Sequence, residues 1–153
     1  MREHFEVVFS VPFVHGWQRA GSTRSGIHYT QDMTRADEQQ IGLAYKGSSI
    51  RKYGRVVAAP EHVPVSVVVD AHLPAPKRWP RNVPKWLKPC LPFTVKPDAD
   101  NILKLIDGLN GIAWHDDAQV TEAIVHKHTR RKFGVEGTTF TVSWEQDTDV
   151  EEG

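Results

Sequence analysis

At 153 residues the chain has the size of one domain and is long enough to bury a core. Its 39% hydrophobic and 25% charged residues are those of an ordinary folded domain, and no apolar run approaches the roughly 18 residues of a membrane-spanning helix. The opening MREHFEVVFSVP carries charges where a secretion signal needs an apolar core, and a single cysteine, Cys90, excludes an internal disulfide or a cysteine-ligated zinc. A cytoplasmic protein is expected.

The net charge of zero is unevenly distributed. Residues 145–153 hold five acids and no base; without those five, 14 acids face 19 lysines and arginines, a balance of about +5. A basic body suits a polyanionic partner. Residues 1–145 are expected to form the domain and residues 146–153 an acidic tail without order.

Residues 4–11 alternate as a strand, with Phe5, Val7 and Phe9 on one face. Residues 12–31 read as a loop in which Arg19 and Arg24 lie among Trp17 and Tyr29; cations beside aromatics grip phosphates and stack on bases. Residues 33–46 read as a helix capped by Thr30 or Asp32 and stopped by Gly47, Ser48 and Ser49. Residues 50–62 fit either a short strand or a helical turn. Residues 63–72 are β-branched and predict a strand, with Asp70 near its end a candidate extra ligand or, more simply, a solvent-facing carboxylate.

Residues 73–97 contain seven of the ten prolines, which no regular element tolerates. This loop carries Lys77, Arg78, Arg81, Lys85, Lys88 and Lys96, two tryptophans and no acid, a composition that predicts a nucleic-acid-binding arm. Residues 100–110 predict a second helix, with Asp100 as N-cap, Gly111 as stop and an apolar stripe through Ile102, Leu105, Ile106 and Leu109. Residues 119–131 alternate as a strand. His126 and His128 share one of its faces, where they are expected to serve the sheet surface or a substrate rather than zinc. Residues 138–144 predict a last strand, hairpin-paired with its predecessor. The expected fold is α+β, with a mixed sheet of about four strands and two main helices.

Residues 96–120, KPDADNILKLIDGLNGIAWHDDAQV, concentrate five aspartates in an otherwise apolar segment. Their mutual repulsion calls for a divalent cation. Asp98 and Asp100, two apart at an extended helix entry, point the same way and can share one ion. Hard oxygen donors suit Mg²⁺ or Mn²⁺. Lys104, four residues after Asp100, can hold a scissile phosphate, and Asp107 can orient that lysine. A straight helix of about 11 residues spans roughly 16 Å, so spacing alone does not bring Asp116 and Asp117 to Asp98. Each piece also has an ordinary role as cap, ion pair or turn. An EF-hand fails because Leu103 and Leu109 stand where its glycine and last acid belong, and neither a D/E-x-K triplet nor a Walker glycine loop is present.

The same segment resembles the core motif of the RusA-like Holliday junction resolvases. D-x-D-N-x-x-K is met by Asp98, Asp100, Asn101 and Lys104, D-x-L-N by Asp107 to Asn110, and D-D-x-Q-[VI] by Asp116 to Val120. The match covers about 25 contiguous residues, with weaker echoes in the loop of residues 12–30, the helix after it and the arm before Lys96. The resemblance implies a dimeric RusA-like fold and a homodimeric Mg²⁺- or Mn²⁺-dependent endonuclease, cytoplasmic in a bacterial or phage-infected cell. Such an enzyme nicks four-way DNA junctions symmetrically during recombination and repair, leaving 5′-phosphates. By the same resemblance Asp98, Asp100 and Asp117 are metal ligands, Asp116 is a neighbouring acid at the metal, and Lys104 is the catalytic lysine; Asn101 and Asp107, beside them on the helix, are expected to support them. Arg19, Arg24 and the six cations of the arm are the expected DNA contacts. Pro97 stands where some members carry arginine, and the long arm and acidic tail are departures. The rival expectation is a non-catalytic DNA-binding recombination accessory, in which the acids only cap and turn.

Overall fold

A computed structural model describes residues 2–13, 29–73, 98–129 and 137–147. Along the chain come β1 (Arg2–Val11), α1 (Tyr29–Tyr53), β2 (Val65–Leu73), α2 (Ala99–Leu103), a 3-10 helix (Lys104–Leu109), a 3-10 turn (Asp117–Gln119), β3 (Val120–Thr129) and β4 (Gly137–Asp147). The fold is the expected α+β arrangement. The four strands form one mixed sheet in the order β1-β4-β2-β3, with β2 and β3 parallel and the other pairs antiparallel.

Period-two patterning builds the core. Phe5, Val7, Phe9 and Val11 of β1, Val65, Val67, Val69, Ala71 and Leu73 of β2, and Phe140, Val142 and Trp144 of β4 are all buried on one sheet face. Cross-strand aromatics lock the register: Phe5 stacks on Trp144 at 5.4 Å and Phe9 on Phe140 at 5.0 Å. Helix α1 lays Ile41, Tyr45 and Ser49 onto this face, and Tyr45 meets Phe9 edge-on.

The expected β3–β4 hairpin does not form. β4 inserts between β1 and β2, with Phe140 opposite both Phe9 and Val69. Its apolar face gains from two neighbours, whereas β3, with Glu122, Ala123, Ile124 and His126 exposed, suits a sheet edge. The parallel β2–β3 pair needs a long crossover, and the acidic segment lies within it. β4 also reaches Asp147, opposite Arg2, so Gln146 and Asp147 belong to the sheet rather than to a tail; residues 148–153 lie outside the described residues.

Helix α1 runs past Gly47, Ser48 and Ser49, the expected stop, and starts before Thr30 and Asp32, the expected caps. Packing overrides the local propensity. Ser49 is buried, and its hydroxyl donates to Arg55 O (2.8 Å) and accepts from Val57 N (2.7 Å), folding the following segment back. The helix closes at Gly54 in the left-handed region (φ 76°), whose N–H donates to Ile50 O. The helix expected over residues 100–110 is α-helical only to Leu103 and then tightens to three residues per turn. It starts one residue earlier than expected, with Asp98 rather than Asp100 at the N-cap. Gly111 ends it as expected, at φ 79°.

Candidate active site

The acidic segment doubles back immediately after the 3-10 helix. Gly111 N donates to Trp114 O (2.8 Å), closing a tight turn that buries Trp114 and Ala113. Trp114 Nε1 then donates to Asp117 Oδ1 (2.8 Å), fixing one carboxylate oxygen. The adjacent Asp116 has a different duty: its Oδ1 accepts from Ala118 N (2.9 Å) and caps the 3-10 turn. Gln119 is buried and fully used. Its Oε1 accepts from His115 N and Asp116 N, and its Nε2 donates to Pro60 O and Val63 O, pinning the turn to the segment before β2.

At the other end, Asp98 is extended (φ −68°, ψ 148°) and its carboxylate makes no capping bond. Its carbonyl accepts from Asn101 N and Ile102 N, which orders the helix entry. The Asp100 side chain is 72% exposed, and its Oδ2 lies 3.9 Å from Lys104 Nζ. The carboxylates at the helix entry are therefore not consumed by the fold.

Asp107 connects the two ends. Burial, and then the charge of Asp117, raise its pKa above the usual carboxylate value, with Lys104 pulling the other way. Glu38 of α1 is raised as well, by burial first and then by Asp107, with Arg35 opposing and Asp117 and Asp37 adding to the shift. The turn thus returns Asp117 to the Asp107 part of the helix. Lys104 faces both Asp100, at 3.9 Å, and Asp107, whose charged form it favours.

Contact between α1 and the 3-10 helix is backbone-close at Gly108: a Cβ there would sit 2.6 Å from Glu38 O. Beside it a cleft of about 530 Å³ is lined by Arg35, Glu38, Gly42, Lys46, Asp107 and Ile112, among others. Spacing did not single out Glu38, Arg35 or Lys46; the one signal for Glu38 is its place a turn before the buried Ile41.

Asp98, Asp100 and Asp117 are all exposed and are not drawn into one tight triad. Among the described residues, one group of three metal-capable side chains has all its ligand atoms within 4.8 Å of one another: Asp70, His126 and His128. The acidic segment nonetheless fits a hard divalent ion, since it offers oxygen donors unspent on the fold and a carboxylate repulsion that Lys104 only partly offsets. The expected DNA contacts Arg19, Arg24, Lys77, Arg78, Arg81, Lys85, Lys88 and Lys96 lie outside the described residues.

Carboxylates ranged around one lysine, beside a cleft with further cations, suit hydrolysis within a polyanion such as nucleic acid. A family model described as endodeoxyribonuclease RusA matches residues 13–137, which include every residue of this site. The chain belongs to the RusA endodeoxyribonuclease family. No curated protein matches it. No helix among the described residues is long and apolar enough to cross a membrane.

Proposed function

We propose that the chain is a Holliday junction resolvase that uses Mg²⁺ or Mn²⁺ to nick two strands of a four-way DNA junction, leaving 5′-phosphate and 3′-hydroxyl ends. The observation that carries this reading is the pairing of unspent carboxylates at the helix entry with a returning Asp117 held by Trp114. Asp98, Asp100 and Asp117 would hold the ion. When bound, it supplies Lewis-acid polarisation of the phosphodiester and a more acidic water.

The chain's own residues do the rest. Lys104 offsets negative charge developing on the phosphate, and Asp107 and Asn101 keep the lysine and the helix entry in place. Asp116 shapes the turn that aims Asp117, and its Oδ1 is engaged in that task. Arg35 and Lys46 in the cleft receive flanking phosphates, and the loop cations from Arg19 to Lys96 extend the electrostatic track. A homodimer with two-fold symmetry would set two such sites against a two-fold junction.

The test is a synthetic four-way junction incubated with the protein in Mg²⁺, in Mn²⁺ and in EDTA. Paired, metal-dependent nicks are expected. Asp100→Asn is expected to lower cutting by at least about 100-fold while junction binding holds or strengthens, because a charge facing phosphates is removed. Tight binding with no cutting in either metal would instead identify a non-catalytic recombination accessory.

A further inference from the structure

The sheet face opposite the core carries a second chemical group, distinct from the acidic segment. In β2 the buried positions are Val69, Ala71 and Leu73, so Asp70 and His72 project from the other face. Parallel pairing sets His126 opposite Asp70 and His128 opposite His72. Asp70 Oδ1 meets His126 Nδ1 at 3.0 Å and His128 Nε2 at 3.1 Å. His72 stacks on His128, with ring centroids 5.0 Å apart and planes at 19°.

Two imidazole nitrogens converging on one carboxylate oxygen form a triad close to ligand spacing. Four-coordinate zinc with bonds of about 2.0–2.1 Å separates its ligand atoms by roughly 3.3 Å. Here the two histidine-to-aspartate separations are within a few tenths of an ångström of that value before any ion enters. The three ligands come from two paired strands, so their backbones are already fixed.

We propose that Asp70, His126 and His128 bind one Zn²⁺ ion through Oδ1, Nδ1 and Nε2, leaving a fourth position for water or a phosphate oxygen. Both imidazoles bind neutral, with the proton on the nitrogen turned away: Nε2 of His126 and Nδ1 of His128. Imidazole donors favour zinc over magnesium, so this ion and a hard ion at the acidic segment do not compete. The ion ties the edge strand β3 to β2 at the end where both strands run into basic sequence, Lys77 to Lys96 after β2 and Arg130, Arg131 and Lys132 after β3.

Untagged protein, loaded with Zn²⁺ in excess Mg²⁺ and desalted, is expected to retain one zinc per chain by elemental analysis. The His126→Ala/His128→Ala double variant is expected to retain none, and Asp100→Asn to retain one, which separates this site from the acidic segment. Co²⁺ in place of zinc provides a check independent of any loss of folding: His128→Gln, with an unchanged far-UV spectrum, is expected to lose the visible absorption of tetrahedral cobalt. Wild type that holds no zinc, or a double variant that holds as much as wild type, overturns the site. Neither readout depends on DNA cleavage, so its failure is distinct from failure of the resolvase reading.

Discussion

Asp117 owes its position to a tryptophan. Trp114 is buried, so its indole N–H points in a fixed direction, and Asp117 Oδ1 is what it meets. That bond separates two adjacent aspartates that spacing alone leaves equivalent, since Asp116 caps the turn. The placement of Asp98 and Asp100 at a helix entry, with Lys104 one turn on, was legible from spacing, because helix-entry geometry depends on neighbours in sequence. Glu38 was not, because its burial and the charges of Asp107 and Asp117 depend on residues far along the chain. The raised pKa values of Asp107 and Glu38 have a definite sign in stability. The folded state holds these protons more tightly than the unfolded chain, so the contribution of these two groups to stability is fully present below the ordinary carboxylate pKa of about 4 and is lost as pH rises through the raised values. In EDTA, Asp107→Asn is therefore expected to raise Tm at pH 7 and to match wild type near pH 3. A lower Tm at pH 7 would show that the Asp107 charge is stabilising after all.

Elements were easier to find than their ends and pairings. β1, β2 and β4 each bury alternate residues on one face, and the strands themselves showed in the residues, from alternation in β1 and β-branched content in β2. Which strand lies beside which depends on contacts between distant segments, and there the local hairpin expectation failed. Helix α1 passed a glycine and two serines because the hydroxyl of Ser49 finds partners beyond the helix. The tightening at Lys104–Leu109 belongs with Gly108, whose missing side chain lets α1 come within backbone contact. Gly108→Ala would place Cβ 2.6 Å from Glu38 O and 2.9 Å from Glu38 Cα, both backbone atoms that cannot swing aside. Destabilisation of about 1–3 kcal/mol in urea unfolding is expected, as for other overpacked contacts. A neutral result would mean that α1 shifts freely against the 3-10 helix.

Across the whole molecule, a net charge of zero conceals a basic body with an acidic end. Affinity for DNA is then expected to depend on salt more steeply than the overall charge suggests. If Lys85 and Lys88 each contact a phosphate, Lys85→Ala/Lys88→Ala lowers the slope of log affinity against log salt by about 1.8, at about 0.9 per contact. An unchanged slope in a junction-binding titration would make that arm an ordinary solvated loop.

The seat of β4 has a consequence for how the protein is made. It pairs Arg2 with Asp147, the first residue of β1 with the last residue of β4, and it is the strand that joins β1 to β2. On the ribosome, β1 waits without a strand neighbour until residues 137–147 have emerged, and Phe5, Val7 and Phe9 wait with it. Closure of the sheet is thus a late event built from the longest-range contacts in the chain, the kind that makes folding slow and keeps sticky strand faces in water meanwhile.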